Sequence, residues 1–450
     1  MTTRFDDSLP TLASLVEAEF GASAFEKAVF VRDASGFLSV VVDEEVGEER
    51  LAELNEKAVV VLGGYARSDD CIRDRNGPGS QRLLVNPATS RARISGRSII
   101  FIDRRMVGAD WLLSPRPGNA IPRVAFASIK GGVGRSTALA VMAAYLSARG
   151  LRVLAIDMDL ESPGIGTMLI KPSAMPKYGT LDYLVENGIS GIDEEFLENA
   201  TGRSFLGAGG GQVAVMPAFG SETMEHPAGG LAKIARAYLE DVKSGGEVVT
   251  LTDQIREMIE RFEATGAYDI VLVDGRAGLH ETTAAVILGI GAETLLFGVD
   301  EPQTFTGYRL LLSHLASWEG TEYEDWKQRI QFVNAKASAD PTSQTEAAAR
   351  FNDLMTAFDA RTEHEASAAA EEEPLTAEDF DLGWAAVEDD VVNEVIGEEV
   401  PVIRILDDAR YRAFDPVQQP TLLTSDLFET TFGDLLRWAD TVAAVGDQEK

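Results

Sequence analysis

The sequence predicts an α/β protein, with a mostly parallel sheet covered by helices on both faces and a small α+β unit ahead of it. Three observations predict this. Short unbroken apolar runs recur after residue 122, helical segments separate most of them, and the three-proline stretch "SPRPGNAIPR" at 114–123 divides this pattern from a different N-terminal part. Strands buried on both faces read as continuous apolar runs, which is the signature of a parallel sheet between helical layers.

The first 118 residues read as the α+β unit. Residues 10–20 carry helical spacing. "KAVFVRD" and "FLSVVVD" read as strands joined by the Ala34-Ser35-Gly36 turn. "ERLAELNE" is expected to be helical, "AVVVLGG" and "SIIFID" to be strands, and "RDRNGPGSQR" to be a turn or mobile loop.

Residues 119–337 form the first part of the main domain. "RVAFAS" leads into a glycine loop, and "ALAVMAAYLSAR" follows as a helix closed by Gly150. "LRVLAIDMD", "GQVAVMPA", "YDIVLVDG", "ETLLFGVD" and "RIQFVNA" are the next strands. "LTDQIREMIERFEA", "HETTAAVILGI" and "FTGYRLLLSHLASW" are the helices among them. Residues 338–397 read as an acidic low-complexity insert, since no Lys or Arg occurs from Thr362 to Ile403. Such a segment is a solvated, partly disordered stretch or an acidic surface for a basic partner. Residues 398–450 close the domain with the strand "EVPVIRILDD" and an amphipathic helix.

Composition narrows the function. The net charge of −33 over 450 residues disfavours non-specific binding to nucleic acid or anionic lipid. The only cysteine, Cys71, excludes an internal disulfide and a Cys-rich metal site. The start lacks a basic n-region, and the longest apolar stretch is broken by Glu293, so a cytoplasmic protein is expected.

The chemistry concentrates in "ASIKGGVGRSTALA", residues 127–140. A strand that runs into Lys130-Gly131-Gly132-Val133-Gly134 and then a helix turns successive N–H groups toward one anion, and the helix N-terminus adds partial positive charge. Ser136 is placed to ligate Mg²⁺ and Thr137 to reach the α-phosphate. Two positions depart from G-x-x-x-x-G-K-[ST]: Ile129 stands at the first glycine and Arg135 at the lysine. Downstream, Asp157 and Asp159 end the second strand, where carboxylates can hold Mg²⁺ through water and orient an attacking water. Asp274, after four apolar residues, has a Walker B arrangement, and Gly278 lies where an N–H could meet a γ-phosphate.

With "DMD", "DGRAG" and "FVNA", "KGGVGRST" resembles the MinD/ParA class of P-loop ATPases with a deviant Walker A motif, in a variant subgroup that carries "KGGVGR". The resemblance spans roughly 122–337 and 398–446. It implies a P-loop NTPase fold, ATP and Mg²⁺ as ligands, and a bacterial nucleotide switch. Lys130 would be the signature lysine that crosses a dimer interface to the partner's ATP. Arg135 would lie on the β/γ-phosphates. Ser136, Asp157 and Asp274 would serve the metal, Asp159 would position the hydrolytic water, and Asn334 would recognise adenine. Gly131, Gly132, Val133, Gly134 and Thr137 complete the implied nucleotide cradle. Asn334 is the only hint of ATP over GTP.

Arginine is always charged but offers a planar fork where lysine offers a point charge, so binding is expected to survive and hydrolysis to be slow or absent. Arg276 is expected to sense the γ-phosphate or to pair with Glu281. The C-terminal helix lacks a basic face, against membrane cycling. The expected function is an ATP-binding, ATP-hydrolysing switch that homodimerises on ATP and signals to a protein partner. A non-hydrolysing ATP-binding scaffold and a ParA-like partitioning ATPase are the alternatives, the second disfavoured because DNA binding fits poorly with the charge.

Overall fold

The computed structural model describes residues 3–67, 70–85, 90–94, 97–105, 107–207, 210–242, 248–318, 321–368 and 401–448. They divide into two compact units. The described residues of the first fall within Met1–Leu112, Leu312–Thr321 and Met355–Glu398; those of the second fall within Leu113–Leu311, Glu322–Leu354 and Glu399–Lys450.

The first unit holds a five-stranded sheet of β1 (Val29–Arg32), β2 (Leu38–Val41), β3 (Ile72–Arg73), β4 (Ser90–Ile94) and β5 (Arg97–Asp103), in the order β3-β2-β1-β5-β4. The β1–β2 hairpin is antiparallel and turns at 33–37. The helices Phe5–Phe20 and Glu48–Leu62 bury Leu12, Val16, Leu54 and Leu62. One expectation is corrected here. "AVVVLGG" is not a strand, because the helix runs on to Leu62. Leu54, Ala58 and Leu62, spaced by four, are fully buried, while Val60 is 82% exposed. Burial at the helical period outweighs the strand preference of three β-branched residues. "RDRNGPGSQR" is also more ordered than expected: β3 begins it and the short helix Ser80–Leu84 ends it.

The second unit is built on an eight-stranded sheet. Its strands are β6 (Arg123–Ser128), β7 (Arg152–Asp157), β8 (Gly202–Arg203), β9 (Gln212–Met216), β12 (Ile270–Ala277), β13 (Glu293–Gly298), β14 (Ile330–Ala337) and β15 (Ile403–Leu406). A separate two-residue hairpin, β10 (Asp241–Val242) with β11 (Val248–Val249), lies outside it. The order is β15-β14-β13-β6-β12-β7-β9-β8, with every pair parallel except β8–β9.

Alternation fills both faces. Val124 and Phe126 of β6, Val153 and Ala155 of β7, and Ile270 and Leu272 of β12 join the core under the helices Arg135–Ala148 and Ser425–Gln448. Ala125, Leu154, Ile156, Val271 and Val273 join the opposite core, under Thr180–Asn187 and Leu251–Ala264. This is why these strands read as unbroken apolar runs. β7 follows β6 in sequence but lies beyond β12 in the sheet. The carboxyl ends of β6, β12 and β7 therefore stand side by side, where open α/β sheets bind ligands.

The expected acidic low-complexity insert begins in a helix, Pro341–Ala368. The remainder, 369–397, lies outside the described residues.

Candidate nucleotide site

The loop after β6 needs two glycines for its path. Gly132 and Gly134 adopt φ of 73° and 96°, a region in which a Cβ is strained. Gly134 caps the helix that Arg135 begins, so the loop N–H groups and the helix N-terminus face one space. Ile129, at the expected first glycine, packs against the helix Pro302–Ala316. A Cβ at Gly307 would lie 2.4 Å from its Cγ2, so the departure at Ile129 is matched by a glycine opposite.

The carboxylates gather beside the loop. Asp157, Asp159 and Asp274 are all buried. The Asp157 Oδ2 accepts from the backbone N–H of Gly164 at 3.0 Å and of Ile165 at 3.1 Å, and its Oδ1 from that of Asp159 at 3.1 Å. Asp157 thus shapes the loop after β7. Burial, then the nearby Asp274 charge, pushes its carboxyl up to about 7. Asp274 accepts the Ser136 hydroxyl at 2.5 Å. Burial pushes its carboxyl up to about 6, against the pull of Arg135.

Arg135 is folded into this cluster. Its Nη1 donates to Ser128 Oγ at 2.8 Å, its Nη2 lies 3.4 Å from Asp159 Oδ2, and its Nε lies 3.6 Å from Asp274 Oδ1. Lys130, on the exposed crest of the loop, reaches Glu301 at 2.8 Å. Gly278 donates its N–H to the Ser128 carbonyl, which ties the loop after β12 to the end of β6. Arg276 pairs with Glu161 at 2.5 Å, a partner that the sequence reading did not name.

The donor set suits Mg²⁺. The Ser136 hydroxyl and the Asp274 carboxylate are hard oxygen donors side by side, and the buried Asp274 Oδ1 has no hydrogen-bond partner. Among the described residues, no group of three or more His, Cys, Asp or Glu is arranged to hold a metal alone. Mg²⁺ characteristically takes one or two carboxylates and completes its shell with water and substrate phosphates.

A cavity of about 620 Å³ opens from the loop, lined by Gly132 to Thr137, Lys336, Asp407, Asp408, Tyr411, Arg412 and Phe432. Sequence reasoning missed its far wall. Lys336, the only described non-glycine residue with positive φ (54°), turns its Nζ to the Gly132 carbonyl at 2.7 Å. Arg410 holds the Asp408 carboxyl well below the usual range, and Thr431 donates to it at 2.7 Å. Tyr411 packs edge-on against Phe432. Asn334 does not line this cavity. It is buried in β14 with its Oδ1 unpartnered. The positive φ of Lys336, two residues after Asn334, gives no signal in composition or spacing.

A glycine loop on a helix N-terminus, with a serine-carboxylate pair at the next strand end, defines a P-loop nucleotide-binding protein. The domain family described as "CobQ/CobB/MinD/ParA nucleotide binding domain" matches residues 124–447, and the chain belongs to it. No curated protein matches the chain. Among solved structures it is similar to the MinC:MinD cell division protein complex of Aquifex aeolicus (16% identity, covering 71% of this chain and 96% of that one, TM-score 0.42). It is also similar to a ParA family ATPase from Chlorobium tepidum (16%, covering 71% and 98%, TM-score 0.40). A third is cobyrinic acid a,c-diamide synthase from Mycobacterium smegmatis with bound ADP and magnesium (17%, covering 52% and 81%, TM-score 0.36).

Proposed function

We propose that this protein is an ATP-binding switch that takes MgATP in the loop Lys130–Thr137, homodimerises through Lys130 and signals to a protein partner. The observation that carries this reading is the convergence of Ser136, Asp159 and Asp274 beside a glycine loop at a helix N-terminus. The loop N–H groups would hold the phosphates. Ser136 and Asp274 would hold Mg²⁺, directly or through water, with Asp157 behind them. Bound Mg²⁺ would offset charge on the phosphate oxygens. Asp159 would orient the attacking water, and the cavity walled by Lys336 and Tyr411 would take the base. The exposed Lys130–Glu301 pair is weak enough to open when a second copy approaches.

A second reading, ATP held without turnover, is favoured by one observation. Arg135 is engaged by the two carboxylates that hydrolysis would need free. Phosphate release by wild type, Arg135→Lys and Asp159→Ala, with ATP binding measured in parallel, separates the two. Turnover in wild type that Asp159→Ala abolishes supports the ATPase. Release at background in both, with ATP bound, supports the scaffold and defeats the ATPase.

A further inference from the structure

Two loops carry the site's carboxylates. The loop after β7 carries Asp159 and, two residues on, Glu161. Arg276 lies two residues beyond Asp274, at the end of β12. Inside the site, Arg135 touches both Asp159 and Asp274. Toward the surface there is a second link: Glu161 Oε2 meets Arg276 Nη2 at 2.5 Å, and Glu161 Oε1 accepts the Tyr238 hydroxyl at 3.3 Å. The Tyr238 ring meets His280, farther along the chain from Arg276, with centroids 5.0 Å apart. The Arg276 carbonyl accepts the Thr283 hydroxyl at 3.1 Å, which anchors that loop to the helix behind it. Glu161 is therefore held from two sides, by β12 and by the residue that ends the helix Gly230–Ala237.

The inner link cannot persist if Arg135 turns to a phosphate, because its guanidinium is already committed to the two carboxylates. The outer link involves no residue of the phosphate loop, so it survives that change. Arg276 Nη1 is buried without a hydrogen-bond partner, so this guanidinium keeps a spare donor.

We propose that Arg276 and Glu161 are positioning residues that keep the Asp159 loop and the Asp274 loop together as one unit, tied through Tyr238 to the helix Gly230–Ala237. The functional meaning of this clasp rests on the nucleotide-site reading above, but the clasp itself does not. It is tested on the full nucleotide-free chain by hydrogen exchange resolved by peptide. Arg276→Ala and Glu161→Gln are each expected to speed exchange in both 160–164 and 277–282 by about two- to fivefold, the scale of a partly exposed ion pair. Arg276→Lys and the swap Glu161→Arg with Arg276→Glu are expected to restore most of the protection. Acceleration confined to the mutated loop, or absent, overturns the proposal. If either variant also loosens β6 and β7, Tyr238→Phe, which removes only a hydroxyl, decides instead. Faster exchange at 160–164 supports the clasp and no change overturns it. With ATP and ADP as probes, Arg276→Ala is expected to shrink the ratio of their affinities, and an unchanged ratio overturns a role of the clasp in the nucleotide site. Failure of wild type to bind ATP at all would defeat the nucleotide reading and leave the exchange result standing.

Discussion

Arg135 and Asp159 face each other inside the site, Nη2 3.4 Å from Oδ2, with side chains only 8% and 10% exposed. This places the residue that stands for the phosphate-loop lysine against the residue proposed to orient the hydrolytic water. The relation gives the first prediction. Arg135→Ala leaves two buried carboxylates without their cation and is expected to destabilise the nucleotide-free chain by about 3 kcal/mol at pH 8. Arg135→Lys keeps the charge on a shorter, flexible stem and is expected to lose less. Denaturant melts of the three proteins check this, and equal midpoints for wild type and Arg135→Ala would refute it.

Ser136 bonds the Asp274 carboxylate at 2.5 Å, and in the proposed reading the two hold Mg²⁺ together. Ser136→Ala is expected to weaken ATP binding at least about tenfold in the presence of Mg²⁺, on the scale of losing a metal site's supporting group. With EDTA present the variant and wild type are expected to match. Calorimetric titration in both buffers tests this, and a loss of equal size with EDTA would assign Ser136 a role unrelated to the metal.

The pH dependence follows from Asp157 and Asp274, raised by burial to about 7 and about 6. Both lie above the ordinary carboxylate value, so between roughly pH 4 and 7 the folded chain binds protons that the unfolded chain does not. This contribution makes the nucleotide-free protein more stable as pH falls through that window and less stable as it rises. A metal needs the ionised carboxylates, so the Mg²⁺-dependent part of ATP affinity is expected to rise from pH 5.5 to pH 8. Affinity that stayed flat over this range would mean that neither carboxylate serves the metal.

How much of this was legible in the sequence depended on where each residue takes its neighbours. The strands that carry Ser128, Asp157 and Asp274 were readable because both of their faces are buried, and the glycine loop because its backbone path requires Gly132 and Gly134. The helix through Val59–Val61 was misread because three β-branched residues outweighed the Leu54, Ala58, Leu62 spacing on its buried side. The far wall of the cavity was not readable. Lys336 shares a cavity wall with Asp407 and Tyr411 only because β14 pairs with β15, which the sequence separates by more than the length of the intervening helix. The Glu161–Arg276 pair is likewise set by the β7–β12 register, which spacing along the chain does not encode. Ile129, which looked like a defect of the loop, is explained by Gly307 opposite it.

Lys130 stands exposed on the crest of the loop, held by Glu301 at 2.8 Å. Replacing Glu301 with Gln removes the competing carboxylate, and dimer formation with ATP is expected to strengthen by up to about fivefold, the upper range for an exposed pair. Concentration-dependent sedimentation checks this, and weaker association in Glu301→Gln would show that Glu301 supports the dimer.

The most direct measurement is light scattering of the full chain with MgATP, with MgADP and without nucleotide, for wild type and Lys130→Ala, with bound nucleotide quantified in the same samples. A dimer is expected for wild type with MgATP alone, and a monomer in every other sample. Wild type that remains monomeric with ATP shown to be bound would contradict the switch.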